Sequence, residues 1–131
     1  MPIIEVFTLI AAPVELCFDL ASDIDIHIAS TEGTNEKAIA GIQGGLISLG
    51  EQVTWEARHF GIRQKLTSRV TIFDRPHHFR DSQVSGPFHH FDHDHFFRFE
   101  SGVTVMQDLF NYQSPFGLFG RVADSWFLQS Y

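Results

Sequence analysis

A period-two alternation of apolar and polar side chains runs through residues 50–113, about half of the 131-residue chain. Successive strand side chains point to opposite faces, so this alternation is typical of strands with one buried and one solvated face. Short breaks divide the run at Phe60-Gly61, Arg75-Pro76, Gly86-Pro87 and Ser101-Gly102. The pattern therefore predicts an antiparallel meander as the main part of the fold.

The segments that flank the meander predict further strands and three helices. In chain order they are a strand at 3–10, a helix opened by Ala12-Pro13, a second short helix capped by Ser22 or Asp23, a loop at 31–35, a short strand at 37–41, a flexible connection at 42–49 and a last helix after Pro115. The first helix has an apolar stripe formed by Val14, Leu16, Cys17, Leu20 and Ala21. This order predicts an α+β domain that covers residues 1–131.

One strand of the meander carries four of the eight histidines, in residues 88–100. Alternation places one set on an inner, aromatic and imidazole-lined face: His89, Phe91, His93, His95, Phe97 and Phe99. It places the other set on a charged face in water: Phe88, His90, Asp92, Asp94, Phe96, Arg98 and Glu100. His89 lies beside a turn, and His77-His78 are interpreted as solvated turn residues. An inner face that is apolar yet holds His93 and His95 is typical of a cavity wall.

Hairpin geometry predicts which side chains face this strand. A two-residue turn at Ser101-Gly102 pairs His95 with Asp108, His93 with Phe110, Phe91 with Tyr112 and Phe97 with Met106. A two-residue turn at Phe60-Gly61 pairs Trp55 with Leu66. A bulged connection at Gly86-Pro87 aligns Asp81 with His93, Phe79 with His95 and Gln83 with Phe91. Directly opposed side chains lie about 5 Å apart at Cβ, so His95 and Asp108 are predicted hydrogen-bond partners.

Charge and composition exclude several function classes. The net charge is -7 and the few Lys and Arg residues are scattered, which argues against nucleic acid as a partner. No segment has the roughly 18 apolar residues of a membrane span, so we expect no integral membrane association. A single cysteine, Cys17, forms no internal disulfide and favours a cytoplasmic location. Composition leaves a homo-oligomer open.

The element order and four local motifs together resemble the START-like superfamily, also called SRPBCC. The motifs are Ala12-Pro13-Val14-Glu15-Leu16-Cys17-Phe18-Asp19, Val84-Ser85-Gly86-Pro87-Phe88, His93-Asp94-His95-Phe96-Phe97 and Tyr112-Gln113-Ser114-Pro115-Phe116-Gly117. The resemblance covers essentially the whole chain and is greatest to a bacterial branch of small cytosolic proteins labelled by analogy with polyketide cyclases. It implies a helix-grip fold, in which a curved antiparallel sheet of six or seven strands wraps a C-terminal helix and a hydrophobic ligand lies between them. Only about fifteen residues follow Pro115, so the final helix is either short or truncated.

The first functional hypothesis is therefore binding of a small hydrophobic or amphipathic ligand. Its polar end would lie near His93, His95 and Asp108, and its apolar body against the aromatic cluster. The predicted ligand-binding residues are Trp55, Leu66, Phe79, Asp81, Gln83, Phe91, His93, His95, Phe97, Met106, Asp108, Phe110, Tyr112, Phe119 and Trp126.

Two other functions stay open. A cyclase or hydratase would use His95 with Asp108 as acid–base and Tyr112 as donor. An interaction module without a small ligand would use the 42–49 connection and the incomplete last helix. His93 and His95 with Asp81 or Asp108 also have the spacing of a His-His-carboxylate metal site. Relatives mostly work without a metal, so we expect no cofactor and no metal.

Overall fold

The computed structural model describes residues 3–30, 36–59 and 62–113. The elements are β1 Ile3–Ile10, α1 Val14–Ala21, α2 Ile24–Ser30, β2 Lys37–Gly41, β3 Gln52–His59, β4 Ile62–Asp74, β5 His78–Ser85, β6 His90–Glu100 and β7 Val103–Gln113. The predicted loop at 31–35, the Phe60-Gly61 turn and the helix after Pro115 lie outside the described residues. Neither α1 nor α2 is long and apolar enough to cross a membrane.

The described strands form a seven-stranded antiparallel sheet in the order β1-β7-β6-β5-β4-β3-β2. Consecutive strands from β2 to β7 are neighbours, as a meander requires, and β1 adds to the free edge of β7. Irregular register in the β2–β3 and β4–β5 pairs marks bulges, which bend and twist strands. The α+β architecture of a helix-grip fold is confirmed.

The β3–β4 and β6–β7 pairs have the predicted register. Ser101 and Gly102 both have positive φ, 52° and 85°, as the two central residues of a type I′ turn do. This turn pairs His95 with Asp108 and His93 with Phe110. Trp55 pairs with Leu66 across β3 and β4. Local turn geometry therefore accounts for which side chains share the inner face.

The β5–β6 connection is confirmed in part. Asp81 pairs with His93 and Phe79 with His95, as the bulged connection predicts. The ladder stops at Ser82 and Asp92, however, so Gln83 is not paired with Phe91. The Gln83 amide instead spans the turn, since Nε2 donates to the Phe88 carbonyl at 2.7 Å and Oε1 accepts from the Phe88 N–H at 3.2 Å. Beyond the last pair of the β5–β6 ladder, side-chain bonds of Gln83 thus take the place of backbone pairing.

Helix α1 packs onto the sheet through Phe18, which is fully buried. Its ring makes edge contacts of 5.1–5.3 Å with Phe73, Phe79 and Phe97. The predicted apolar stripe is wrong in part, because Leu16 is exposed while Phe18 forms the contact. Phe18 faces the sheet because aromatic rings of β4, β5 and β6 contact it there. These rings belong to residues that are far from α1 in the sequence.

The connection at 42–49 is attached to the helices. Ile47 is buried and its N–H donates to the Ser22 carbonyl, while the Ile24 N–H donates to the Gly45 carbonyl. The Asp25 carboxylate accepts from the Gly45 N–H at 3.0 Å. The interpretation of this segment as a flexible connection is therefore wrong for its middle, although Leu46 and Leu49 are exposed.

Candidate functional site

A cavity of about 320 Å³ lies between the inner face of the sheet and the region formed by the end of α1 and α2. Ligand cavities are commonly 300–1,000 Å³ with mostly apolar walls and a few polar groups. Its walls are formed mainly by apolar side chains of α2, the 42–49 connection and strands β3 to β7, including Ile24, Ile47, Val53, Trp55, Leu66, Phe79, Phe88, Phe91, Met106 and Phe110. Four polar residues of β5, β6 and β7 form a floor, defined here as Asp81, His93, His95 and Asp108.

Four rings stack side by side across three strands at this floor. Phe79 stacks on His95 at a centroid distance of 4.0 Å, His95 lies 3.6 Å from His93, and His93 stacks on Phe110 at 3.9 Å. The stack follows from register, because Phe79 is opposite His95 and Phe110 is opposite His93. The two phenylalanines thereby hold the imidazole planes in place.

The carboxylates hold the edges of the two imidazoles. His93 Nε2 donates to Asp108 Oδ1 at 2.8 Å, and His95 Nε2 donates to Asp81 Oδ2 at 3.0 Å. His95 Nδ1 also lies 3.2 Å from Asp108 Oδ1. The predicted His95–Asp108 pairing is thus present, but each of these residues has a shorter contact with another floor residue. Register alone predicts only the directly opposite partner, whereas ring orientation selects the diagonal one.

The two histidines have opposite pKa shifts. Burial and the neighbouring His95 lower the pKa of His93 to about 4. Burial alone would lower the pKa of His95 as well, but its bonds to Asp108 and Asp81 outweigh burial and raise it to about 9. Burial opposes the ionised form of Asp108, yet hydrogen bonds from both imidazoles hold its pKa well below the usual range. At neutral pH the floor contains a neutral His93 beside a protonated His95.

Three floor residues also form a candidate metal-ligand set. One ligand atom each of Asp81, His93 and His95 lies within 4.8 Å of the others. Two imidazoles and a carboxylate suit Zn²⁺ or Fe²⁺, with Asp108 orienting the rings from behind. A metal would have to displace the proton of His95.

Most of the predicted ligand-binding residues line the cavity. The ones that do so are Trp55, Leu66, Phe79, Asp81, Phe91, His93, His95, Met106, Asp108 and Phe110. Gln83, Phe97 and Tyr112 are not in its lining: Gln83 spans the turn, Phe97 is buried against Phe18, and Tyr112 packs edge-on against Phe88. Phe119 and Trp126 lie outside the described residues.

The predicted ligand-binding set leaves out the lining within 20–27, together with Glu36, Ile47, Val53, Ser68 and Phe88. Phe88 is buried and faces the cavity, although alternation assigned it to the outer face. It precedes β6, which begins at His90, so the phase of the strand does not apply to it. His27 and Glu36 also line the cavity, joined by a 2.8 Å hydrogen bond, with the His27 ring 4.4 Å from Trp55. A lone buried glutamate before a short strand has no signal in the sequence.

The outer face of β6 is less solvated than predicted. Asp94 is only 4% exposed and accepts bonds from Arg80 at 2.9 and 3.0 Å and from His78 at 2.6 Å. His78 therefore belongs to β5 rather than to a solvated turn, and its ring stacks on Phe96 at 4.2 Å. The prediction for Phe99 is wrong in the opposite sense. Alternation places Phe99 on the inner face, but it is 57% exposed near the end of β6.

Solved structures share this architecture at low sequence identity. Protein TTHA0849 of Thermus thermophilus aligns with a TM-score of 0.72 at 17% identity, over 98% of this chain and 86% of its own. A START superfamily protein of Mycobacterium smegmatis aligns with a TM-score of 0.69 at 12% identity, over 97% and 90%. Major latex-like protein 151 of Panax ginseng aligns with a TM-score of 0.68 at 12% identity, over 98% and 91%.

Comparisons at the level of sequence find no related protein. No protein-family model and no curated protein sequence matches the chain. Proteins with the same fold can have unrelated activities, so structural neighbours at this sequence identity establish the architecture and not the activity. The sheet order, the paired helices and these neighbours together show that the chain has the START-like fold.

Proposed function

We propose that this protein binds a small hydrophobic or amphipathic molecule in the cavity between the sheet and α2. The observation that carries the proposal is the composition of the cavity wall, a mainly aromatic and aliphatic surface that holds two sets of polar side chains, the floor and the bonded His27–Glu36 pair. An apolar ligand body would displace water from Phe88, Phe91 and Trp55, at roughly 25 cal/mol per Å² of buried apolar surface. The floor would fix its orientation.

The floor suits a ligand with a single polar end. Its side chains are bonded to one another, so the empty cavity does not leave them unsatisfied. The side chain of Asp81 is 25% exposed and that of Asp108 only 8% exposed. Asp81 is therefore the carboxylate that a ligand would reach first.

Calorimetric titration with a neutral probe, 2-(2-naphthyl)ethanol, tests the proposal. We expect saturable one-to-one binding, and Phe91→Ala should weaken it about tenfold because an aromatic contact with the ligand is lost. Phe99→Ala is the matched control: it removes an exposed phenylalanine of the same strand and should leave affinity within about twofold. Absence of saturation, or equal losses in both variants, would refute binding in this cavity.

A cyclase or hydratase activity is the second candidate, favoured by the two histidines of the floor. Neighbouring titratable groups with pKa values shifted in opposite directions are a common arrangement for acid–base pairs. Protonated His95 would be the acid and neutral His93 the base. Tyr112 is not in the lining and is a poor candidate for the donor.

Hydration of an unsaturated ketone, 4-(2-naphthyl)but-3-en-2-one, tests this activity. Mass spectrometry should detect the water adduct with wild-type protein and at least 100-fold less of it with His95→Gln, a far larger loss than the loss of affinity for the naphthyl alcohol. An equal loss of binding and turnover would assign His95 to binding alone.

A further inference from the structure

The floor of the cavity has an unbalanced negative charge. Carboxylate oxygens face both nitrogens of His95, so both nitrogens must donate and the ring is an imidazolium. His93 has one carboxylate partner and lies 3.6 Å from His95, where a second positive charge would be strongly repelled. Two carboxylates, one imidazolium and one neutral imidazole leave a net charge of about one negative unit.

The remaining described lining does not offset this charge. No Lys or Arg belongs to the cavity lining within residues 3–30, 36–59 and 62–113. Glu36 and Asp23 add carboxylates to the lining, and Glu36 is paired with His27. An uncompensated charge in an apolar cavity is costly, so a negatively charged ligand would be disfavoured and a positively charged one favoured.

The wall also suits a cation. Phenylalanine and tryptophan rings present negative faces that attract an ammonium group, and Trp55, Phe88 and Phe91 line the cavity above the floor. Asp81 lines the cavity, bonds to His95 through Oδ2 and has a partly exposed side chain, so its carboxylate can accept a further bond from a ligand. Carboxylate and aromatic faces are thereby directed at one volume.

We propose that the ligand is an amine: a small aromatic or alkyl molecule whose protonated nitrogen donates to Asp81 while its apolar body lies against Phe88 and Phe91. This inference rests on the proposed binding function and adds the chemical class of the ligand. The ammonium group replaces water at the floor and neutralises its excess negative charge.

Three ligands of matched shape test the charge. They are 2-(2-naphthyl)ethylamine, 2-(2-naphthyl)ethanol and 2-naphthylacetate, titrated separately into the protein by calorimetry at pH 7. We expect the amine to bind at least about tenfold tighter than the alcohol, and the carboxylate at least about tenfold weaker, since charge-assisted hydrogen bonds are roughly twice as strong as neutral ones. Equal affinities, or tightest binding of the carboxylate, would overturn the assignment while leaving the binding function intact. Failure of all three ligands to bind would refute the binding function itself.

One substitution locates the effect. Asp81→Asn should reduce the preference for the amine over the alcohol to less than about threefold, because the amide can still bond a hydroxyl but lacks the charge that favours an ammonium group. Asp92→Asn is the matched control, because Asp92 lies on the other face of the sheet and pairs with His90, and it should keep the full preference. An unchanged preference in Asp81→Asn would overturn the assignment.

A metal is the competing cation, and a separate titration decides between them. Zn²⁺ alone, added to protein treated with a chelator, should bind weakly and without saturation at micromolar concentration. Tight one-to-one Zn²⁺ binding that excludes the amine would assign the missing positive charge to a metal at Asp81, His93 and His95 and overturn the amine proposal.

Discussion

His93 and His95 lie two residues apart on β6 and face the same cavity, yet they differ in charge. The difference comes from the number of carboxylates that each ring contacts, one for His93 and two for His95. Because the ring centroids are only 3.6 Å apart, protonation of one ring disfavours protonation of the other. The two imidazoles therefore titrate as a coupled pair that carries a single positive charge at neutral pH.

This unit predicts a maximum of stability near pH 6.5, the ordinary histidine pKa. The raised pKa of His95 contributes stability that is complete below pH 6.5 and is lost as the pH rises toward 9. The lowered pKa of His93 contributes stability that is present above pH 6.5 and is lost as the pH falls toward 4. Asp81 and Asp108 face both rings, and the lowered pKa of Asp108 adds a further loss below about pH 4.

Urea denaturation between pH 4 and 9 measures this dependence. We expect the free energy of unfolding to fall by roughly 2 to 3 kcal/mol on each side of the maximum. His95→Gln should flatten the alkaline side and His93→Gln the acid side. His90→Gln, which removes the imidazole paired with Asp92 on the outer face, should leave the profile unchanged. A flat profile in wild type would contradict the charge assignment.

Asp94 makes a second prediction at the residue scale. It is buried under Arg80 and His78, and these bonds hold its pKa below the usual range although burial opposes ionisation. Asp94→Asn should lower the free energy of unfolding by about 2 kcal/mol, because the charge-assisted bonds to Arg80 and the hydrogen bond with His78 are lost or weakened. The control Asp92→Asn should cost less than about 1 kcal/mol. Equal costs in urea denaturation would show that Asp94 acts as an ordinary surface carboxylate.

At the scale of elements, the connection between β5 and β6 decides the shape of the cavity wall. The ladder ends at Ser82 and Asp92, and beyond it Gln83 bonds both backbone groups of Phe88. These bonds turn the Phe88 ring inward, where it contacts Phe91 at 4.8 Å and Tyr112 at 5.8 Å. Gln83 therefore holds Phe88 in the apolar cavity wall, although Gln83 itself is not in the lining.

Removal of the Gln83 amide tests this arrangement. Gln83→Ala leaves the Phe88 N–H and carbonyl without these partners, so we expect a loss of about 1 to 3 kcal/mol in the free energy of unfolding. Hydrogen exchange of the Phe88 amide should accelerate. Gln107→Ala removes an exposed amide bonded to Glu5 and should cost less than about 0.5 kcal/mol. Unchanged exchange at Phe88 would contradict the bridging role.

At the scale of the whole molecule, three aromatic contacts of Phe18 join the first helix to the sheet. Phe18 contacts rings of β4, β5 and β6, and Phe79 stacks in turn on His95. Phe79 thus belongs to the hydrophobic core and also contacts the floor residue His95. A change in core packing should be transmitted to the floor through this ring.

Phe18→Ala should cost about 3 to 5 kcal/mol in the free energy of unfolding, the usual range for a buried phenylalanine. Leu16→Ala, an exposed position of the same helix, should cost less than about 1 kcal/mol. Urea denaturation of both variants at pH 6.5 measures these two changes in the free energy of unfolding. Similar costs at the two positions would show that α1 does not pack through Phe18.

The strand faces and the turns were predictable from the sequence because both depend on short-range geometry. Period-two alternation assigns His93 and His95 to the inner face, and a two-residue turn at Ser101-Gly102 determines that Asp108 lies opposite His95. Alternation fails where a bulge or turn changes the phase, as at Phe88. The sheet and the identity of the floor residues thus follow from residues that are close in sequence or joined by a tight turn.

Tertiary structure decided how these residues are used. The diagonal bond from His95 to Asp81, the burial of Asp94 and the choice of Phe18 over Leu16 each require the relative positions of separate elements. The unequal charges of His93 and His95 likewise arise from carboxylates on two different neighbouring strands. Sequence alone therefore determined that His93, His95 and Asp108 lie on the inner face of the sheet. Packing between distant segments decided their partners and their charges, because burial and hydrogen-bond geometry exist only in the assembled fold.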